Sequence, residues 1–562
     1  MMPSVEKLIA EFPECKVTKT LRDRDLIEIN PSSLLKVVSF IKNDLNYSIL
    51  LDITAIDNLH LSKPPKNRFE LRYIFRNDNF KETLTLKIRL EDLNIDTVSS
   101  LYSVADWLER EVYDQYGVTF SNHPTLKRIL NHNEFVGHPM RKDYEITKGQ
   151  MCFKTQDMLD EIEPLLKQRG LDKERDNLML LNLGPSHPAS HGTIRTLVAL
   201  DGEKIVAGAG EIGYLHRGFE KSCENHPYNQ IIPYTDRLNY CSALMNNIAF
   251  AKTVEDMMDI TLPDRGIFIR VILTELSRII DHLVCLAAGL LDMGGQTNYW
   301  YLFNPRNDAY DFLSKLTGAR LTNSYMRIGG MTHDLYDGWQ KDLEDVLEKV
   351  DKGVSDTLKM VEHNRIFQDR LQDVSPVSAQ EALNYGFTGP NLRASGVAYD
   401  LRFAKPYYYY DNFEYDIVVG SVGDTYDRLM VRFEEIIQSM KIIRQAVKII
   451  PDGDVRVQDH RISMPPKEKV YNSIEGMMNQ FKLVYEGVKV PKGEFYGAFE
   501  AANGELGFHI TSDGSGTPYK VKVRAPSFVH MASYPKIIEN YQVGDAILTL
   551  GSLNIIAGEM DR

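Results

Sequence analysis

Two runs in the first hundred residues alternate apolar and polar positions. Phe69, Leu71, Tyr73 and Phe75 are separated by Glu70, Arg72 and Ile74, and Leu84, Leu86, Ile88 and Leu90 by Thr85, Lys87 and Arg89. A period of two predicts half-buried strands at 69–75 and 84–90. Around 104–116 the spacing becomes helical, and a turn-rich tail follows with His123-Pro124, Gly137-His138-Pro139 and Arg141-Lys142. Residues 1–145 read as a small α/β domain. Residues 146–177 carry mixed charge and weak patterning, and read as a connector with a short helix at 158–167.

From 178 the chain starts with strands and turns and then becomes helix-rich. The best helix covers 265–292, where Arg270, Thr274, Ser277, Arg278 and Asp281 recur every three or four residues and leave a broad apolar face. Its end at 283–291 is apolar all round and is expected to be buried. Further helices are predicted at 339–352 and 424–449, and the last seventy residues read as β-like, with glycine-rich corners. The expected fold class is α+β: the N-terminal α/β domain followed by a mainly helical domain with flanking β elements.

Composition narrows the class without naming a function. The chain has 562 residues, 43% hydrophobic and 25% charged, with 37 Gly and 24 Pro, which excludes collagen-like, coiled-coil and mostly disordered chains. A formal net charge of -13 argues against a nucleic-acid partner. Cys15, Cys152, Cys223, Cys241 and Cys285 form no CxxC pair, so a disulfide framework or zinc ribbon is not expected. The apolar run 283–291 is too short for a membrane span, which needs about 20 residues. The first residues lack the basic-then-apolar order of a signal peptide. The expectation is a soluble protein, or one held at a membrane by partners.

Four features carry candidate chemistry. Gly208-Ala209-Gly210-Glu211-Ile212-Gly213 matches a dinucleotide fingerprint, but no helix or acidic ribose ligand follows at the required spacing, and a glycine-rich turn is the blander reading. His187 and His191 stand at i and i+4, a metal-binding spacing on a helix. Pro185 and Pro188 oppose a helix there, so the pair reads as a loop or hairpin tip, either solvated or ligand-facing. Asp292 ends the apolar run, where burial and the helix dipole both disfavour a carboxylate. Either a cation or donor meets it, or the helix frays and it is hydrated. Tyr240, at the start of an apolar helical run, reads as a core aromatic or a catalytic phenol, and Tyr407 to Tyr410 as packing beside a turn.

Taken together, longer motifs resemble a known family. WLEREVYDQYG from Trp107, His123-Pro124, Gly137-His138-Pro139 and Arg141-Lys142-Asp143 look like the C subunit of proton-translocating NADH:quinone oxidoreductase, respiratory complex I. GPSHPASHG from Gly184, IGYLHRGFEK from Ile212, PYTDRLNY from Pro233, GARLTNSYMRIGG from Gly318 and AGEMDR from Ala557 look like its D subunit. The chain thus resembles a fused C/D subunit, with boundaries at 1–145, 146–177 and 178–562. The resemblance implies a D part with the fold of nickel–iron hydrogenase large subunits. The stretches matching the hydrogenase cysteine pairs are His216-Arg217-Gly218 and Gly558 to Arg562, and they lack the thiolates that such a centre requires.

The same resemblance implies site residues. The quinone headgroup ligands fall on His191 and Tyr240, with Asp292 pairing with the histidine and His187 on the same hairpin. Arg217 and Thr322 fall in segments facing the terminal iron–sulfur cluster. Many family members carry a histidine at the position of Thr322, and Pro305 interrupts a stretch that is usually helical. No metal or flavin is expected in this chain; iron–sulfur clusters and FMN belong to partner subunits. The implied partners are the iron–sulfur B subunit, the I subunit and the membrane H subunit, at the cytoplasmic face of a bacterial inner membrane. Two function classes follow: a quinone-reducing component that couples to proton translocation, and a non-catalytic scaffold of the same peripheral arm. A stand-alone nicotinamide dehydrogenase resting on Gly208 to Gly213 is a third.

Overall fold

The computed structural model describes residues 2–23, 25–61, 65–154, 158–172 and 176–562. It divides into two compact units. One comprises Met1–Lys221, Ser375–Phe387 and Arg524–Arg562, and the other Ser222–Val374 and Thr388–Val523. These units cut the chain by spatial contact, and so differently from the division 1–145, 146–177 and 178–562, which follows sequence resemblance. Helices and sheets occur in both units.

The first unit contains a five-stranded sheet ordered Lys16–Lys19, Asp25–Ile29, Thr83–Leu90, Phe69–Arg76 and Ile49–Asp57. All neighbours are antiparallel except Asp25–Ile29 with Thr83–Leu90. The two runs of alternating residues pair directly, with Leu71 opposite Ile88 and Tyr73 opposite Leu86. Phe69–Arg76 is buried on both faces, not one. Its polar residues tolerate this because they pair: Glu70 accepts from Arg72 at 2.9 Å and from Lys87 at 3.1 Å. The helix Ala105–Tyr116 matches the helical spacing there.

A three-stranded antiparallel sheet follows, ordered Lys204–Glu211, Arg195–Asp201 and Met179–Leu183. The connector helix, Leu159–Gln168, packs on it, bringing Ile162 and Leu166 into one core with Leu197, Ala199, Ala207 and Ala209. Parts of the proposed connector, 155–157 and 173–175, lie outside the described residues. The glycine fingerprint is neither a phosphate loop nor a turn. Gly208 and Gly210 sit inside the strand Lys204–Glu211, paired with Val198 and Thr196. The reason is packing: a Cβ on Gly208 would stand 3.1 Å from the Pro535 carbonyl, and one on Gly210 3.2 Å from the Met531 side chain. Both neighbours belong to the helix Pro526–Ile537. That helix, with Val543–Leu553 and Ala557–Asp561, also corrects the β-like reading of the last seventy residues, which holds only through Lys520–Arg524.

The second unit is built around the helix Asp264–Asp292, which packs against Thr425–Ile449, Gln296–Thr317 and Ala243–Met258. Its 29 residues span about 43 Å. The polar stripe is itself buried: Arg270, Thr274, Ser277, Arg278 and Asp281 are each at most 2% exposed. Burial at this cost requires partners. Glu255 takes both terminal nitrogens of Arg270, at 2.7 and 2.8 Å, and the Tyr408 hydroxyl lies 2.6 Å from the same guanidinium. Pro305 lies inside Gln296–Thr317, which continues through it, and the helix at Trp339 runs on to Val361. Gly493–Ala501 and Gly504–Ser512 form an antiparallel hairpin, with Lys520–Arg524 as the third strand of that sheet.

Candidate functional site

The sequence-predicted residues fall in both units. His187, His191 and Arg217 belong to the first; Tyr240, Asp292 and Thr322 belong to the second.

His187 and His191 occupy the connection between the strands Met179–Leu183 and Arg195–Asp201, so the loop reading of this motif holds. A single 3-10 turn, Pro188–Ser190, separates them. The Ser190 hydroxyl closes the turn by donating to the His187 carbonyl at 2.7 Å. His187 is exposed and His191 half-buried. His191 adopts φ +52°, a left-handed conformation costing about 1–2 kcal/mol for a residue with a Cβ. Such strain persists where surroundings enforce it, and it clusters at functional sites.

Arg217 is exposed, on a loop tied to the far end of the chain. The Asp561 carboxylate accepts from the backbone of Gly213 at 3.0 Å and Leu215 at 2.8 Å. Its carbonyl lies 2.7 Å from His216 Nδ1, and Arg217 N donates to the Arg562 carbonyl at 3.3 Å. Burial holds the Asp561 carboxyl above its ordinary range, partly offset by those backbone donors. Two segments some 345 residues apart in sequence therefore meet. Among the described residues no group of three or more His, Cys, Asp or Glu is placed to hold a metal ion. None of the five cysteines is joined in a disulfide.

In the second unit, Tyr240 opens a 3-10 turn, Tyr240–Ser242, that leads into the helix Ala243–Met258. Its ring is 40% exposed although Asn239 and Cys241 on either side are buried. The turn is pinned from three directions. Asn239 Oδ1 accepts from Cys241 N at 3.1 Å, Asn239 Nδ2 donates to Asp281 at 2.7 Å, and Asn246 donates to the Asn239 carbonyl at 2.9 Å. Partial burial raises the phenol above its usual value, with Cys241 and the Asp281 carboxylate adding to the effect. Tyr240 thus remains a neutral proton donor across the physiological range. The core-aromatic alternative fails on its exposure.

Asp292 is the last residue of Asp264–Asp292 and is exposed, so the helix neither frays before it nor buries it. Gly294 and Gly295 donate back to the Leu291 and Leu290 carbonyls at 2.8 Å and close the helix end. Thr322 is half-buried in the loop after Gln296–Thr317. That loop is fastened to the Tyr240 segment, because Asp236 accepts from both the backbone and the hydroxyl of Ser324. Asn323 anchors it further, donating to the Thr317 hydroxyl at 3.0 Å and the Ala319 carbonyl at 2.7 Å.

Three side chains that support Tyr240 escaped the sequence reading: Asn239, Asn246 and the role of Asp281. The only sequence signal was a polar residue on an otherwise apolar helix. Tyr408 and Tyr410 also gain partners that are remote in sequence, Arg270 and Glu275.

Residues 27–150 match the family model of the respiratory-chain NADH dehydrogenase 30 Kd subunit, and residues 292–562 that of the 49 Kd subunit. A chain carrying both in this order is a component of the respiratory NADH dehydrogenase, complex I. It is 45% identical over 548 residues to the NADH-quinone oxidoreductase C/D subunit of Bdellovibrio bacteriovorus, covering 97% of this chain and 96% of that one. It is 36% identical over 587 residues to the C/D 2 subunit of Aquifex aeolicus, covering 100% and 99%. The D subunit of Pelobacter propionicus matches at 49% over 386 residues, 69% of this chain and 96% of that one. The chain belongs to the C/D subunit family of NADH-quinone oxidoreductase. No helix among the described residues is long and apolar enough to cross a membrane.

Proposed function

We propose that this chain forms the quinone-reduction site of the complex, in which His191 and Tyr240 bind the headgroup and supply its two protons. Two electrons arriving from a partner's iron–sulfur cluster make both quinone oxygens basic, and each then takes a proton from a nearby donor to give the quinol. In this reading Asp292 is the counter-charge of the protonated His191, and the loss of that pairing once the proton is given up couples quinone reduction to proton translocation. His187 borders the headgroup from the same loop, and Arg217 and Thr322 face the cluster. The observation that carries this reading is Tyr240: an exposed phenol, held protonated, on a turn whose neighbours are buried and hydrogen-bonded.

In this reading residues 1–145 dock the peripheral arm, 146–177 connect, and 178–562 adopt a hydrogenase-like fold in which the contact between the Arg217 loop and the Asp561 end lines the vacated metal cavity. The contact itself supports that reading, since the fold analogy requires those segments to meet. Clusters and FMN reside in partners, among them the B, I and membrane H subunits, at the cytoplasmic face of the bacterial inner membrane.

The test is Tyr240→Phe in the assembled enzyme. Quinone reduction should fall at least tenfold while NADH oxidation by an artificial acceptor is unchanged. Equal loss of both activities overturns the assignment. Wild-type turnover in a His191→Ala, Tyr240→Phe double variant would instead favour the scaffold.

A further inference from the structure

One surface of the second unit is unlike the rest. The short helix Lys467–Asn472 leads directly into Ile474–Tyr485, and together they carry an apolar stripe outward. Tyr471, Ile474, Met477, Phe481, Val484 and Tyr485 are exposed by 84, 79, 51, 62, 54 and 78%. The positions from Ile474 onward follow helical spacing, and the Phe481 and Tyr485 rings stack at 5.7 Å. Gly476 and Leu483 bury the opposite face, so the stripe is the side left over once the helix has packed.

The corner between the two helices is preformed. Ser473 Oγ accepts from Gly476 N at 3.0 Å and donates to the Lys469 carbonyl at 2.9 Å. A Cβ on Gly476 would stand 2.4 Å from that same carbonyl, so only glycine allows this approach. The stripe is therefore presented as a fixed shape, which lowers the ordering cost of binding.

We infer that this helical corner is a docking surface for another protein subunit of the complex, one that offers an apolar groove bordered by carboxylates. Three observations select that occupant. The six side chains form one exposed apolar stripe, each more than half exposed, of the kind that a lone chain seldom leaves uncovered. Tyr, Phe and Met are the types enriched at interface cores. The rim is basic: residues 467–492 hold five lysines, at 467, 469, 482, 489 and 492, against three glutamates, in a chain of net charge -13. A second copy of this acidic chain would bring a matching basic rim to a symmetric contact. A membrane leaflet would meet Glu468, Glu475 and Glu486 among the apolar positions, whereas a shaped protein groove can avoid them. The inference stands on family membership and is independent of the quinone assignment.

The experiment places the photo-crosslinker p-benzoylphenylalanine at Tyr485 in the full chain within the assembled complex, with Lys352 as an exposed control position. The expected result is one adduct with a different subunit of the complex, on a peptide carrying aspartate or glutamate. Lys482→Glu with Lys489→Glu should lower its yield at least fivefold at low salt, with the effect fading at high salt. An adduct to a second copy of this chain, or to lipid, overturns the inference. So does the lack of any adduct, provided that hydroxyl-radical footprinting finds Phe481 as accessible in the complex as in the isolated chain.

Discussion

Asn239 donates its side-chain amide to the Asp281 carboxylate at 2.7 Å, and so ties the residue preceding Tyr240 to the interior of the longest helix of the chain. Both groups are buried, so the bond is shielded from competing water. Asp281 acts on Tyr240 in two separable ways. It fixes the turn through Asn239, and its charge adds to the rise in the phenol pKa that burial begins.

Asp281→Ala removes both effects and leaves a buried amide without this acceptor, costing about 1–3 kcal/mol of stability. Quinone reduction by the assembled enzyme should fall about tenfold, as a displaced donor misses its near-attack geometry. Asp281→Asn still offers an oxygen to Asn239 but no charge. It should restore neutral-pH turnover while moving the alkaline limb of the pH profile to lower pH, because the phenol ionises more easily without the carboxylate. Steady-state rates across pH check this; a wild-type profile in both variants would count against the positioning role.

A second prediction concerns the buried ionic cluster on the same helix. Glu275 accepts from Arg278 Nε and from Arg402 Nη1, both at 3.1 Å, from Tyr410 at 2.6 Å and from Ser439 at 2.8 Å. Burial alone would raise its pKa, but the two arginines and two hydroxyls bring it down from 4.5 to about 2. A carboxylate with a folded pKa below its unfolded one stabilises fully above about pH 4.5, and that contribution is lost as pH falls toward 2. The loss amounts to about 3 kcal/mol. Glu275→Gln should lower stability by about 3–5 kcal/mol at pH 7, because two buried guanidinium groups lose their counter-charge. It should also flatten the acid limb between pH 4.5 and 2. Unfolding midpoints measured across pH test both; an unchanged acid limb would refute the assignment.

Elements defined by their own periodicity were legible in the sequence. The strand Phe69–Arg76 and the helix Asp264–Asp292 lie within a residue or so of where alternation and helical spacing put them. What periodicity does not carry is the identity of the neighbour. The stripe of Arg270, Arg278 and Asp281 gives no sign in sequence of Glu255, the Glu500 and Ala501 carbonyls and Asn239, which arrive from other elements to meet it. Gly208 and Gly210 match a phosphate-loop spacing and read as a glycine-rich turn until the helix Pro526–Ile537 lies across them. The candidate site behaved similarly. Motif resemblance pointed to His191, Tyr240 and Asp292, but the support beneath Tyr240 joins residues 42 positions apart and leaves no local trace.

The last prediction rests on Thr322. In the proposed site this residue faces the terminal cluster, where the family resemblance implies a histidine in many members, and a hydroxyl does not titrate in the physiological range. The cluster potential of this enzyme should then be nearly independent of pH. The loop is well anchored through Asn323 and through the Asp236–Ser324 contact, so exchanging the half-buried side chain at 322 should leave the backbone in place. Thr322→His introduces an imidazole that binds a proton when the nearby cluster gains an electron. Between the imidazole pKa values of the oxidised and reduced states, the potential should then fall by up to about 59 mV per pH unit, the limit for one proton per electron. Redox titrations followed by EPR at several pH values measure both slopes. A steep slope in the natural enzyme, or none in the Thr322→His variant, would remove Thr322 from the cluster's surroundings.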